Sequence, residues 1–260
     1  MDLIHDSVTE HIVIRQVAPS RIRFWLAQAI EDIRRAPADS LFYGALFVLM
    51  GYILTYYFTT SPAYMLALST LFLLAGPFLA IGLYDLARQR EGVKRHERVA
   101  LRHSLVAWRG NIQGFTLYAA LLAVMAFTWF RVSLLVFALF FDYTALPSLG
   151  DILTELFDPQ NLVFLLVYFA SGFLFALVTF VASAIAVPMM LDKDVDTVTA
   201  MITSFMVVQK NPKTMALWAA IIVGLTGLGL LTYFVGLLIV MPIIGLATWH
   251  VYRDTVSYEH

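Results

Sequence analysis

The sequence predicts an all-α integral membrane protein of six transmembrane helices, arranged as three hairpins. Three observations predict it. The chain of 260 residues is 60% hydrophobic and 13% charged, about half the charge of an ordinary soluble domain. No Lys, Arg, Asp or Glu occurs from Thr214 to Val251, a run close to twice the ~20 residues that cross a bilayer once. Of the 17 Lys and Arg residues, all but Arg131 fall in segments that six spans would place on one side, as the positive-inside rule requires of short loops.

The elements follow in order. Residues 1–39 read as a polar extended arm and then a helix. Ile22, Trp25, Leu26, Ala29, Ile30 and Ile33 recur at steps of three and four, beside Arg21, Arg23, Arg34 and Arg35. A Trp-bearing apolar stripe flanked by arginines suits a helix in the headgroup plane, or a short helix packed on the protein itself. Residues 40–88 form hairpin 1, with a charge-free connection near Ser61-Pro62 and a kink expected at Gly76-Pro77. Residues 89–111 are the most basic segment and read as a second interfacial helix. Its Arg95, Arg98, Arg102 and Arg109 share a face suited to anionic lipid headgroups.

Residues 112–191 form hairpin 2, carrying a periplasmic insertion at 131–158. Counting ~20 residues from Ile112 puts Arg131 at the far interface, as an outer anchor. The segment after it is either a helix extension or re-entrant. Asp142, Asp151, Glu155 and Asp158 then occur without a basic partner. Pro188 falls late in the fourth span. Residues 192–211 give a third amphipathic helix, with Val195, Val198, Met201, Ile202, Phe205 and Val208 as its apolar stripe. Residues 212–254 form hairpin 3: Asn211 caps, Pro212 opens, and Gly227, Gly229 and Tyr233-Phe234 mark the turn. Residues 255–260 are a tail. Both termini are expected in the cytoplasm.

The three units look like parallel repeats. A shift of 100 residues lays Asn111 on Asn211 and Tyr118-Ala119-Ala120 on Trp218-Ala219-Ala220. A shift of 175 lays Pro37 on Pro212 and Tyr43 on Trp218. Pro77 leads to Asp85 and Arg88 at the spacing by which Pro242 leads to His250 and Arg253. The small residues Ala220, Gly224 and Gly227, and Ala182 and Ala186, would permit close helix contact.

Candidate chemistry is sparse. Asp85, Arg88, Asp192, His250, Arg253 and Asp254 could form a polar cluster where helix ends meet, as a proton path or ion site, or act as interfacial anchors with local ion pairs. There are no cysteines, which excludes disulfides, thiolate metal sites and catalytic Cys. Of the histidines only His250 nears a span, so no haem, metal or other cofactor is expected. No phosphate loop, HExxH or nucleophile–base signature occurs, so no enzymatic activity is expected. Nor is nucleic-acid binding: seven cations beside a membrane are ordinary topology signals.

Trp25-Leu26 with Asp32 and Pro37, Gly76-Pro77-Phe78 with Gly82-Leu83-Tyr84, Pro188-Met189-Met190-Leu191-Asp192 with Asp196, Asn211-Pro212, and Ala247 to Asp254 together resemble a family. It is a group of bacterial six-span integral membrane proteins of unknown function, some of whose members carry the label of cytochrome c oxidase subunits. The resemblance implies a multi-pass protein of the bacterial inner membrane and no catalytic residues. An oxidase core needs several histidines within its spans, so the label leaves an accessory or assembly role. The expectation is therefore a non-catalytic subunit of an inner-membrane complex, with lipid and a membrane-protein partner or oligomer around it. The alternatives are a small-molecule or ion carrier, and an anionic-lipid-binding protein.

Overall fold

A computed structural model of the chain describes residues 11–60, 65–92, 100–141 and 161–259. The expected insertion beyond Phe141, the Ser61-Pro62 connection, Lys94, and Arg95 and Arg98 of the basic face lie outside the described residues.

The described chain is helical except for one two-stranded sheet. The helices are α1 (Arg21–Arg35), α2 (Pro37–Thr60), α3 (Met65–Gly92), α4 (Leu101–Val106), α5 (Ile112–Phe140), α6 (Leu162–Ser183), α7 (Ala186–Asp192), α8 (Thr197–Lys210), α9 (Pro212–Leu231) and α10 (Leu237–Thr255). A 3-10 turn, Ala107–Asn111, joins α4 to α5. Strands β1 (His11–Ile14) and β2 (Val256–Glu259) pair antiparallel, His11 opposite Glu259. The described end of the extended arm and the tail are thus hydrogen-bonded to each other.

Among the described residues, four stretches are long and apolar enough to cross a membrane: Pro37–Tyr57, Leu101–Phe140, Leu162–Asp192 and Pro212–Leu231. Their surfaces stay apolar: Leu49, Val124, Phe127, Leu139, Phe173, Val223 and Leu231 are all exposed. In water such continuous apolar faces would aggregate; in lipid they are solvated.

The core lies at the charged end of the bundle, and α10 runs through its middle. It packs against α1, α2, α3 and α9, and Leu246, Ala247, Trp249, Val251 and Tyr252 are fully buried. Close approach is set by glycines on the neighbours. A Cβ at Gly44 of α2 would lie 2.0 Å from the carbonyl oxygen of Leu238. One at Gly82 of α3 would strike the Tyr43 ring. Gly224 and Gly227, small enough for close contact within the chain or with a partner, face open space in this chain.

Two long elements differ from expectation. The basic segment is not one helix: α3 carries Arg88 and Arg90 on to Gly92, Ala100 is extended, and 101–111 form α4 and the 3-10 turn. The fourth span is broken between α6 and α7. The cause is Pro188, whose ring would meet the carbonyl of Ala184 in a continuous helix. Ser204 of α8 repairs the break, accepting from the Ile185 N–H at 3.2 Å and donating to the Val181 carbonyl at 2.7 Å.

By contrast α5 runs unbroken past Arg131, so 131–140 extends the third span rather than re-entering. The turn of hairpin 3 sits at Tyr233-Phe234, both at positive φ, 52° and 67°. The α1 stripe faces inward: Trp25 is fully buried and meets Trp218 edge-on at 6.1 Å.

Candidate functional site

The charged side chains gather where α1, α3, α4, α7 and α10 end or begin. They form four separate knots rather than one cluster.

The first knot surrounds Asp85, fully buried in the last part of α3. Arg88 and Gln89 follow at i+3 and i+4, on the same helix face. They donate to its two oxygens at 2.7 and 2.6 Å. His103 of α4 brings Nδ1 to the same carboxylate at 2.8 Å. Its Nε2 is thereby left for the outside, since a carboxylate only accepts. Arg88 also donates to the Leu191 carbonyl, tying α3 to α7.

The second knot joins His250 to Asp32, Nε2 to carboxylate oxygen at 2.8 Å. Asp32 is buried on the inner face of α1. Nearby, Arg90 has Nε and one Nη buried without a hydrogen-bond partner. Burial pushes its guanidinium below the ordinary arginine range, and Asp32 opposes that most strongly.

The third knot is Asp254. It accepts two hydrogen bonds from Arg21, at 2.9 and 3.0 Å, and one from the Trp25 indole at 2.6 Å. The paired contact matches the guanidinium fork.

The fourth knot links α10 to α7 and α3. Tyr252 donates to Asp192 at 2.7 Å and lies 2.9 Å from the Tyr258 hydroxyl. Arg253 approaches Asp192 at 3.5 Å and pairs with Glu91 at 3.1 Å. The Trp249 indole also donates to Glu91, at 3.0 Å.

Of the six candidate residues, then, Asp85 meets Arg88 and Asp192 meets Arg253. His250 and Asp254 bond instead to α1, and Asp85 and His250 do not share a knot. Each of those two takes part in an Asp–His pair across elements, with the roles of acid and imidazole exchanged. Asp32, His103, Glu91 and Trp25 complete the knots and lie outside the six. Asp32 carries a visible signal in the sequence, an acid on the apolar face at i+3 from Ala29. Of the expected headgroup face, Arg102 and Arg109 are exposed, and Arg109 lies over the Trp108 ring at 5.5 Å. Arg131, also exposed, sits roughly 30 Å along α5 from Ile112 at the helical rise per residue.

A cleft of about 290 Å3 opens between the knots, lined by Arg88, His103, Asn111, Asp192 and Lys193 among others. Its polar groups are largely engaged inside the protein. Asn111 caps α5 through Gly114 N–H at 3.0 Å and donates to the Val195 carbonyl at 2.9 Å. Lys193 lies over the Tyr258 ring at 4.5 Å. Among the described residues, no three His, Asp or Glu side chains converge as a metal ion would require.

The matched residue Asn211, expected to cap α9, makes no side-chain cap there. It accepts instead from the Val17 N–H at 2.7 Å and donates to the Arg15 carbonyl at 3.0 Å. Each Asn thus precedes a long helix and clamps the extended lead-in of a different helix, α8 for Asn111 and α1 for Asn211.

A family model described as a predicted integral membrane protein (DUF2189) matches residues 65–192, from α3 through α7. The chain is thereby matched to a membrane-protein family of unknown function. No curated protein and no solved structure matches it.

Proposed function

We propose that this membrane protein is a non-catalytic accessory or assembly subunit of a larger complex in the bacterial inner membrane, of the cytochrome c oxidase type. The observation that carries the reading is lateral. The spanning windows containing α5 and α6 are only 11% and 6% buried, against 28% for α2 and 22% for α9. This pair leans on the rest of the chain far less than the others do. Its own contact is an aromatic seam, Phe137 on Phe164 at 5.0 Å and Trp129 on Phe175 at 5.5 Å, which leaves the outer faces for a neighbour. A partner's helices would cover what this chain leaves bare.

In this reading the chain spans six times. Helices α2 and α3, α5 and α6, and α9 and α10 pack pairwise. Both termini and all four knots lie in the cytoplasm. Three parallel repeats are supported by Tyr43, Tyr118 and Trp218, matched by the shifts of 100 and 175 and exposed by only 1%, 4% and 1%. The test of function is purification from native membranes in mild detergent: a co-migrating partner is expected, and a lone monomer would overturn the reading. Topology is tested apart from it, by labelling Lys94→Cys and Lys210→Cys in intact cells with an impermeant reagent. No labelling is expected.

A carrier would need a polar route between the spans. The core around Tyr43, Ile81, Met189, Met215, Trp218 and Leu246 is apolar and close-packed, which weighs against it. Exposed Arg102 and Arg109 favour a second role at anionic headgroups. Charge reversal of Arg95, Arg98 and Arg102 should then weaken binding to anionic liposomes, and unchanged binding would remove that role.

A further inference from the structure

Helix α8 is built inside out for water. The residues it turns toward the protein are Thr197, Ala200, Thr203, Ser204 and Val207, all buried. The residues it turns away are Val198, Ile202, Phe205 and Met206, 48–56% exposed. These four recur at i, i+4, i+7 and i+8, one face of a helix. A helix at a protein–water boundary carries the opposite pattern.

The inner hydroxyls are all satisfied. Thr197 donates to the Gly114 carbonyl, Thr203 to Thr199 and Ser204 to Val181, at 2.7–2.8 Å. No charged residue occurs from Thr197 to Gln209; the flanking charges are Asp194 and Asp196 at one end and Lys210 and Lys213 at the other. On α1, by contrast, the outward side carries Arg23 and Arg34 between Phe24 and Ile30. Helix α8 packs on α6, whose last turns expose Leu177 and Val178. The bare face of α8 therefore adjoins the exposed apolar surface of a span.

We propose that α8 is sunk into the bilayer, its Val198, Ile202, Phe205 and Met206 in contact with lipid acyl chains rather than headgroups, water or a partner protein. The chain ends of α8, with their charges, mark the polar boundary on either side. Ser204, which closes the α6–α7 break, neighbours Phe205 on the opposite side of the same turn. Lipid packing on α8 thus bears on the break through adjacent residues. The inference rests on the chain being embedded in a bilayer and does not depend on the accessory-subunit role.

The chain has no cysteine, so single substitutions can be labelled cleanly. Val198→Cys, Ile202→Cys and Phe205→Cys would each carry an environment-sensitive fluorophore. Asp194→Cys serves as the aqueous control and Leu174→Cys, on the exposed side of α6, as the span control. The proteins are reconstituted in phosphatidylcholine–phosphatidylglycerol vesicles with acyl chains brominated at mid-depth. The α8 labels should be quenched several-fold more by the brominated chains than the Asp194 label, and less by aqueous iodide. Iodide quenching equal to that at position 194 would overturn the proposal, as would shielding from both quenchers, which means a covering protein. Should the label at 174 escape the brominated chains, the membrane reading itself fails. Three positions on one face keep the test valid if one variant misfolds.

Discussion

Gly44 and Leu238 meet backbone to backbone: a Cβ on the glycine would stand 2.0 Å from the leucine's carbonyl oxygen. A side chain can rotate away from such a clash, but a helix backbone cannot. Gly44→Ala should therefore cost toward the upper part of the about 1–3 kcal/mol typical of overpacking. The measurement is thermal unfolding in mild detergent. Gly224→Ala is the counterpart. Nothing lies within 4 Å of its added methyl, and it should gain about 0.5–1 kcal/mol by removing a helical glycine.

The hairpin turn offers a second contrast. Tyr233 holds a left-handed conformation while 82% exposed, so its ring returns little for the strain. Tyr233→Gly should stabilise by up to about 1 kcal/mol, the left-handed cost being about 1–2 per non-glycine residue. Phe234 bears the same strain but packs its ring on Gly51 and meets Tyr52 at 6.0 Å. Phe234→Gly gives up that packing, a share of the about 1.5–3 kcal/mol for fully burying such a side chain, which offsets the relieved strain. Stabilisation by Tyr233→Gly and none by Phe234→Gly in one unfolding assay is the expected result.

Asp254 serves two donors of unequal burial. Trp25 is fully buried, whereas Arg21 is partly exposed. Asp254→Ala should cost about 1–3 kcal/mol, mostly from the stranded indole N–H. Trp25→Phe keeps the Arg21 pair and removes the stranded donor. If the polar term governs, Asp254→Ala combined with Trp25→Phe should unfold no earlier than Trp25→Phe by more than a surface ion pair allows, about 0–1 kcal/mol.

Asp196 gives a pH dependence. Its side chain caps α8 by accepting from Thr199, N–H at 3.0 Å and hydroxyl at 2.6 Å. Those bonds, the hydroxyl's first, hold its carboxyl below the ordinary aspartate value of 3.8. A folded-state value below the unfolded one means that the stabilisation is complete above about pH 4 and is lost as pH falls through the folded value. Asp196→Ala should lose about 1 kcal/mol at neutral pH. Asp196→Asn should retain the cap and flatten the acid limb of stability against pH.

The long apolar runs were legible because lipid imposes length: 38 residues without charge between Thr214 and Val251 leave room for little but a fold-back. The turn at Tyr233-Phe234 followed from local chemistry. The knots were legible only in part. That Asp85 would meet Arg88 is an i,i+3 relation. That His250 would reach Asp32 is a long-range one, 218 positions apart, and no local pattern encodes it. The α6–α7 break was signalled by Pro188, but its repair by Ser204 depends on another helix. The stripe on α8 is plain in the periodicity; which way it faces is a property of neighbours that periodicity does not name.

Helices α1 and α10 are mutual partners: the Trp25 indole finds its acceptor 229 positions later. During translation α1 leaves the ribosome before any of the helix that will hold it exists. Its apolar stripe stays uncovered until Leu237 to Thr255 have been made. Completion of the bundle is thus signalled at the N-terminal side. A nascent chain stalled short of Asp254 should present α1 to proteases, and a released one should hide it.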